Sequence, residues 1–246
     1  MHEEKIKIVK DRLLLTKKLI EVRNNFYGRE YITINYEFNT WDHSLYRQYA
    51  ALRYYLLLTC FDIFGQTKDY IEFKSWLSSS DHSEERNEIV RNSKTDETIK
   101  KIIEIHDEYN KIYGVSNSFK RFINEIISEK NREKLLKSIS ITKISLDGNI
   151  IKDYEPTENN KIKFLFSIRN SFTHNGIAIS SPDGGIKHLF DEDEPRILPY
   201  SKTPLYPMVI IHKEKKNKFL YEYAVFRWPT LLIEIIEDTL NEIQSS

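Results

Sequence analysis

The chain of 246 residues holds a single cysteine, Cys60, which excludes an intrachain disulfide and any zinc site built on several thiolates. Set in an apolar stretch, Cys60 is expected in the core rather than as a nucleophile. No charge of either sign is in excess: 37 lysines and arginines balance 37 aspartates and glutamates, so no overall positive field draws nucleic acid in from a distance. Contact with a polyanion must then be local. The longest apolar stretches, such as Leu56-Leu57-Leu58, fall far short of the ~20 residues that span a bilayer, and no apolar segment of signal-peptide length follows the charged N-terminus. No membrane partner is expected, and the expected compartment is the cytoplasm. Low-complexity segments and internal repeats are missing too, so residues 1–246 are read as one large domain, or a core domain carrying an insertion.

What is present belongs to a packed protein. Hydrophobic residues make up 40% of the chain, aromatics 13% and charged residues 30%, a balance that favours a globular core with tyrosine and phenylalanine supplying much of the buried area. Helical spacing dominates. Ile8, Leu15, Leu19 and Val22 recur among charges, predicting an amphipathic helix over 4–23 within an N-terminal arm or extension of residues 1–40. Residues 31–38 alternate and suggest a short strand. Leu45, Tyr49, Leu52, Leu56, Cys60 and Ile63 predict a core helix that Gly65 ends. A short helix over 69–77 follows, then a serine-rich loop. Ile99, Ile102, Ile103, His106, Tyr109 and Tyr113 align on one face of a longer helix closed by Gly114. Phe119, Phe122, Ile123, Ile126 and Ile127 repeat the pattern, and Leu135, Leu136 and Ile139 form a short successor.

Strand signals are few. Ile141, Ile144 and Leu146 before Asp147-Gly148 predict a small hairpin within residues 140–156. Residues 180–207, rich in proline, glycine and acid, read as a long surface loop. Apolar runs on either side of Lys213-Glu214-Lys215-Lys216-Asn217 predict a second hairpin, so residues 177–227 form a loop-and-hairpin insertion. Pro229 is suited to the first turn of a last helix with the stripe Leu232, Ile235, Ile236, Thr239 and Ile243. The fold class expected is mainly α, a helical bundle with small β-hairpin insertions.

One segment pairs groups with chemistry to offer. Residues 161–174 read as a helix, with Asn159-Asn160 as its cap and Asn175-Gly176 as its stop. At ~100° per residue, Ile162, Leu165, Ile168 and Phe172 form one apolar stripe, with Phe164 and Phe166 widening it. Asn170 and His174 fall together on the opposite side, and Arg169 lies at the edge of the stripe. A buried helix thus carries a permanently charged guanidinium, an amide and an imidazole that titrates near neutrality.

Arg169, Asn170 and His174 resemble the signature of the HEPN superfamily, an arginine usually followed by a polar residue and then a histidine a few residues on, near a helix end. The resemblance implies a HEPN-like helical bundle that dimerises so that two copies of the motif face one cleft. It also implies metal-independent cleavage of RNA, with the ribose 2′-hydroxyl as nucleophile and no cofactor. His174 would move a proton, Arg169 would stabilise charge on the phosphate, and Asn170 would orient His174 or hold a phosphate oxygen. An endoribonuclease acting as a toxin or phage-defence effector, with an antitoxin or defence-system partner, is the function implied. Regulation through a modified tyrosine two residues after the histidine is not expected, because that position is Gly176. The alternative within the same family is a non-catalytic dimeric binding or scaffolding module.

Other polar residues have simpler readings. A histidine at a helix end can merely satisfy carbonyls, and an arginine can merely form a surface ion pair. Asp191-Glu192-Asp193-Glu194 reads as a solvated loop rather than a metal site, and Asp42 as a helix cap beside His43. His106, on an apolar stripe, is expected in the core. Tyr46, Tyr49, Tyr54 and Tyr55 are expected in packing rather than base stacking, and Lys213, Lys215 and Lys216 in a solvated turn.

Overall fold

In the computed structural model, residues 3–27, 40–93, 95–175, 208–226 and 228–245 are described, with backbone alone for 21–27, 40–51, 171–175, 208–214 and 226. Helix accounts for 71% of the described residues and the strands form one small antiparallel sheet, so the chain is mainly α with a minor β element. Contacts group it into two compact units, residues 1–60 with 127–246, and residues 61–126.

In the first unit, α1 (Glu3–Tyr27) buries Val9, Leu13 and Thr16, while Ile8, Leu14 and Leu15 are exposed. The predicted stripe through Ile8 and Leu15 is therefore rotated away from the face that packs. Lys17 of α1 pairs with Glu237 at 2.5 Å, tying the helix to the last one. That last helix, α9 (Thr230–Ser245), buries Leu231, Leu232, Ile235, Ile236, Thr239 and Leu240. Burial spread so far around the axis marks an interior helix rather than a surface one. Pro229 lies one residue ahead of it, not within its first turn, and accepts the Ile233 N–H through its carbonyl at 3.1 Å. α2 (Thr40–Gly65) contributes Tyr54, Leu57, Leu58 and Cys60 to this core. α7 (Glu129–Lys137) is fixed to α9 by the buried Asn131, whose amide donates to Asp238 at 3.1 Å.

The helix that bears the polar trio is α8 (Glu158–Asn175). Ile162, Phe164, Leu165 and Ile168 are buried along it, as the apolar stripe predicts. Its cap is Thr157, whose hydroxyl accepts the Asn160 N–H at 3.2 Å; Asn159 and Asn160, the expected caps, lie inside the first turn. Glu158 in that turn takes both ends of the Arg132 guanidinium, at 2.6 and 3.4 Å, which anchors the start of α8 to α7.

The sheet has the order β1-β3-β2, with β1 (Ile139–Ser145), β2 (Met208–Lys216) and β3 (Phe219–Phe226) all antiparallel. β2 and β3 form the expected hairpin, turning at Asn217, which takes a left-handed backbone (φ 55°) open to asparagine. The register slips between Ile210 and His212. The turn at Asp147-Gly148 also forms, with Gly148 at φ 89°. Across that turn the only strand pairing is the single bridge Ile144 to Ile150; β1 instead pairs along its whole length with β3, some eighty positions away. A buried chain of hydrogen bonds joins the helix and strand layers: the Trp228 indole N–H donates to Ser138 at 2.9 Å, and the Ser138 hydroxyl to the Leu135 carbonyl at 2.7 Å.

The second unit begins with the end of α2 and contains α3 (Phe73–Ser78), α4 (Ser83–Asn92), α5 (Thr98–Tyr113) and α6 (Val115–Arg121), the last continuing as a π-helical stretch, Phe122–Ile126. α3 starts four residues later than the sequence predicts. Phe61, Phe64, Phe119 and Phe122 form one aromatic group, with Phe64 stacked on Phe122 at 5.3 Å. Trp76, Tyr109 and Tyr113 form another. On α5, only these two tyrosines are buried; Ile99, Ile102 and Ile103, predicted on the same packed face, are exposed at 74, 56 and 53%. His106 is exposed too, edge-on to Phe73 and 3.1 Å from the Asn110 amide, and so is not the core histidine expected.

Glu85 ties this second group together. It accepts hydrogen bonds from the Trp76 indole, the Tyr113 hydroxyl and Lys68, each at 3.2 Å, and lies 3.3 Å from the His82 ring. Burial pushes its carboxyl up, but hydrogen bonds from Trp76 and Lys68, with the Lys68 charge and His82, outweigh it and hold the carboxyl below its ordinary value. Burial likewise raises the Tyr109 hydroxyl to about 12.

Candidate functional site

Arg169 and Asn170 sit on α8 just beyond Ile168, the last described buried residue of its apolar stripe, and both are half-buried. By helix geometry, positions 169 and 174 are separated by about 140° around the axis and about 7.5 Å along it, so the backbone alone does not bring the two groups onto one face. Asn170 lies between them, about 40° from position 174. The Arg169 guanidinium donates to the Asn170 side-chain oxygen at 3.2 Å. This contact draws the cation around the helix, away from the buried stripe and toward the side on which position 174 lies. The amide thereby directs its N–H₂ group away from the arginine.

The structure thus brings Arg169 and Asn170 into direct contact. His174 lies within the last turn of α8, one helical turn beyond Asn170, where the sequence places it. Its ring, and Gly176 after it, fall outside the described residues. A planar guanidinium beside a neutral amide is the kind of group that binds a phosphate bidentately.

The residues set aside in the sequence occupy varied places. Cys60 is fully buried, with its sulfur 3.3 Å from the Leu56 carbonyl, a core thiol as expected. Tyr54 is buried against Trp228, with ring centres 5.7 Å apart, so it serves packing. Asp42 lies within the first turn of α2, not ahead of it. The side chains of His43, Tyr46, Tyr49 and Lys213, and the acidic run 191–194, fall outside the described residues. Among the described residues, no group of three or more His, Cys, Asp or Glu is placed to hold a metal ion, and no helix is long and apolar enough to cross a membrane.

A groove of about 450 Å³ opens along α8 toward its N-terminal half, between the helix and the sheet. Of its lining, the sequence singles out Lys216 as part of a solvated turn, Phe164 as part of the widened apolar stripe and Asn160 as a helix cap. Tyr154, Lys163, Tyr221 and Tyr223 went unnoticed because they come from three separate elements, and no local spacing links them. The signal that was available is the strand alternation of Phe219, Tyr221 and Tyr223, which puts three aromatic rings on one face of β3.

Compared with protein-family models, curated proteins and solved structures, the chain matches none.

Proposed function

We propose that the chain is a metal-independent endoribonuclease of the HEPN type, with Arg169, Asn170 and His174 as its catalytic residues. The observation that supports this reading is the hydrogen bond from Arg169 to Asn170, which turns a guanidinium toward the helix face of position 174. Without that contact, a 140° separation would leave the two groups to separate surroundings.

In the reaction proposed, an imidazole of His174 takes the proton of a ribose 2′-hydroxyl, and the 2′-oxygen attacks the neighbouring phosphorus. The bond to the 5′-oxygen breaks, and that oxygen receives a proton as it leaves. The products are a 2′,3′-cyclic phosphate and a 5′-hydroxyl. Arg169 neutralises the charge that gathers on the phosphate oxygens as the phosphorus becomes five-coordinate. One imidazole cannot be base and acid at the same instant; a homodimer with two motifs facing one cleft supplies the second. A role as a toxin or phage-defence effector, restrained by an antitoxin or defence-system partner, belongs to the same proposal.

Incubation of the purified protein with single-stranded RNA in a chelating buffer tests the chemistry. Fragments ending in a cyclic phosphate are expected, with a loss of at least a hundredfold in His174→Ala at unchanged helical content. Equal cleavage by that variant would reject the assignment. No cleavage by the unaltered chain, together with a stable dimer that captures a partner, would favour the scaffolding module instead.

A further inference from the structure

The groove beside α8 has a composition that the catalytic trio does not account for. One wall is α8, offering Lys163, Phe164 and, between them and the helix end, Ser167. The other is the sheet face on which Tyr221 and Tyr223 stand, with Lys216 at its rim and Tyr154 closing the end. Phe164 is buried and stacks on Tyr223 at 4.7 Å, so this pair forms the floor and sets the gap between the walls. Tyr154 and Tyr221 are half-buried and meet edge to face, 5.7 Å apart at 73°, leaving ring surface toward the cavity. Lys163 and Lys216 are exposed, one on each wall.

A cavity with aromatic surface inside and an ammonium on either lip suits a ligand that is flat and apolar at one end and anionic at the other. The volume lies within the ~300–1,000 Å³ usual for ligand clefts. Asn160 offers both a donor and an acceptor to the edge of a ring in the cavity. The Ser167 hydroxyl donates to the Phe164 carbonyl at 2.7 Å and so presents an acceptor. Lys143, paired in register with Tyr221, lies 5.5 Å from the Tyr154 ring and 3.9 Å from the Phe219 ring, adding a third positive charge to the same sheet face.

We propose that this groove is a nucleotide subsite, with a base against Tyr154 and Tyr221 and a phosphate between Lys163 and Lys216. Its ligand is one nucleotide of a single-stranded RNA, a clause that rests on the ribonuclease reading; the groove's fit to a nucleotide does not. The geometry extends the RNA path toward the motif. Position 174 lies within about 40° of Asn160 and Ser167 around α8, and about 10 Å beyond Ser167 along it, roughly one to two nucleotides of extended strand.

Binding of a labelled RNA of about twelve nucleotides to the His174→Ala protein, followed by fluorescence anisotropy, keeps turnover out of the measurement. K163E combined with K216E is expected to weaken binding at least tenfold and to lower the slope of log affinity against log salt by about 1.4, as two lost phosphate contacts to a single strand require. Tyr154→Leu, which keeps apolar bulk, is expected to weaken it about tenfold through lost stacking. Competition by adenosine monophosphate, lost in the double variant, would support the subsite and assign it to free nucleotide; charge-sensitive RNA binding without that competition would assign it to the strand. Unchanged RNA affinity in the double variant, with circular dichroism intact, would overturn the proposal, as would equal affinity for polyglutamate of similar length. RNA cleavage with unaltered binding in the double variant would sink the groove alone. Groove-dependent binding by a chain that never cuts RNA would sink only the ribonuclease reading.

Discussion

A methyl group at position 65 has nowhere to go. A Cβ there would sit 1.8 Å from the Ser118 carbonyl oxygen and 2.6 Å from its carbon, both backbone atoms that cannot swing aside. Gly65→Ala is therefore expected to destabilise the unit of residues 61–126 at or above the upper end of the ~1–3 kcal/mol that overpacking usually costs, read as a lowered unfolding midpoint. The sequence marks Gly65 as a helix stop; the close approach of α6 is what makes it irreplaceable. Ser138 is a different case, a small polar residue fully buried with both hydrogen-bonding roles in use. Ser138→Ala removes the acceptor of the Trp228 indole N–H and should cost about 1–3 kcal/mol in denaturant unfolding. A loss under about 0.5 kcal/mol would show that the indole finds another partner.

The helices were largely legible as elements, because their period and end signals are local. Their orientation was not. In α5 the run Ile99, Ile102, Ile103 and His106 has helical spacing, yet Tyr109 and Tyr113 alone are buried, since the partners α3 and α4 cover only its C-terminal half with Trp76 and Glu85. The Glu85 network carries a pH signature. A carboxyl held below its ordinary value of 4.5 contributes stability that is present above that value and lost as pH falls through the lowered one. Acidification below pH 4.5 is therefore expected to lower the hydrogen-exchange protection factors of α3 to α5, that is, protection relative to the intrinsic rate at each pH. Glu85→Gln should be less stable than the unaltered chain at pH 7 and should show a smaller further loss on acidification. An equal acid-induced loss in both proteins would place the sensitive groups elsewhere. At the candidate site, α8 and the order Arg169, Asn170, His174 were readable from spacing. The Arg169 to Asn170 contact was not, because a side chain that leaves its own helical direction does so for its neighbours.

At the scale of the whole molecule, the proposed chemistry needs two imidazoles about one phosphate, so its concentration dependence is informative. Sedimentation is expected to give twice the chain's mass, and cleavage per chain should fall on dilution as the dimer dissociates. A monomer that cuts RNA at a rate strictly proportional to its concentration would overturn the shared cleft. Local information determined much of this protein by itself: the mainly helical class, the position of α8, the β2–β3 hairpin, and the core placement of Cys60 all follow from periods, turns and apolar neighbours within a few residues. Tertiary structure alone decided the pairing of β1 with β3, the buried arcs of α1 and α5, and the groove that gathers Tyr154, Lys163, Lys216 and Tyr221. Those depend on contacts between residues far apart in the chain, and a sequence period states that a face exists without stating what will cover it.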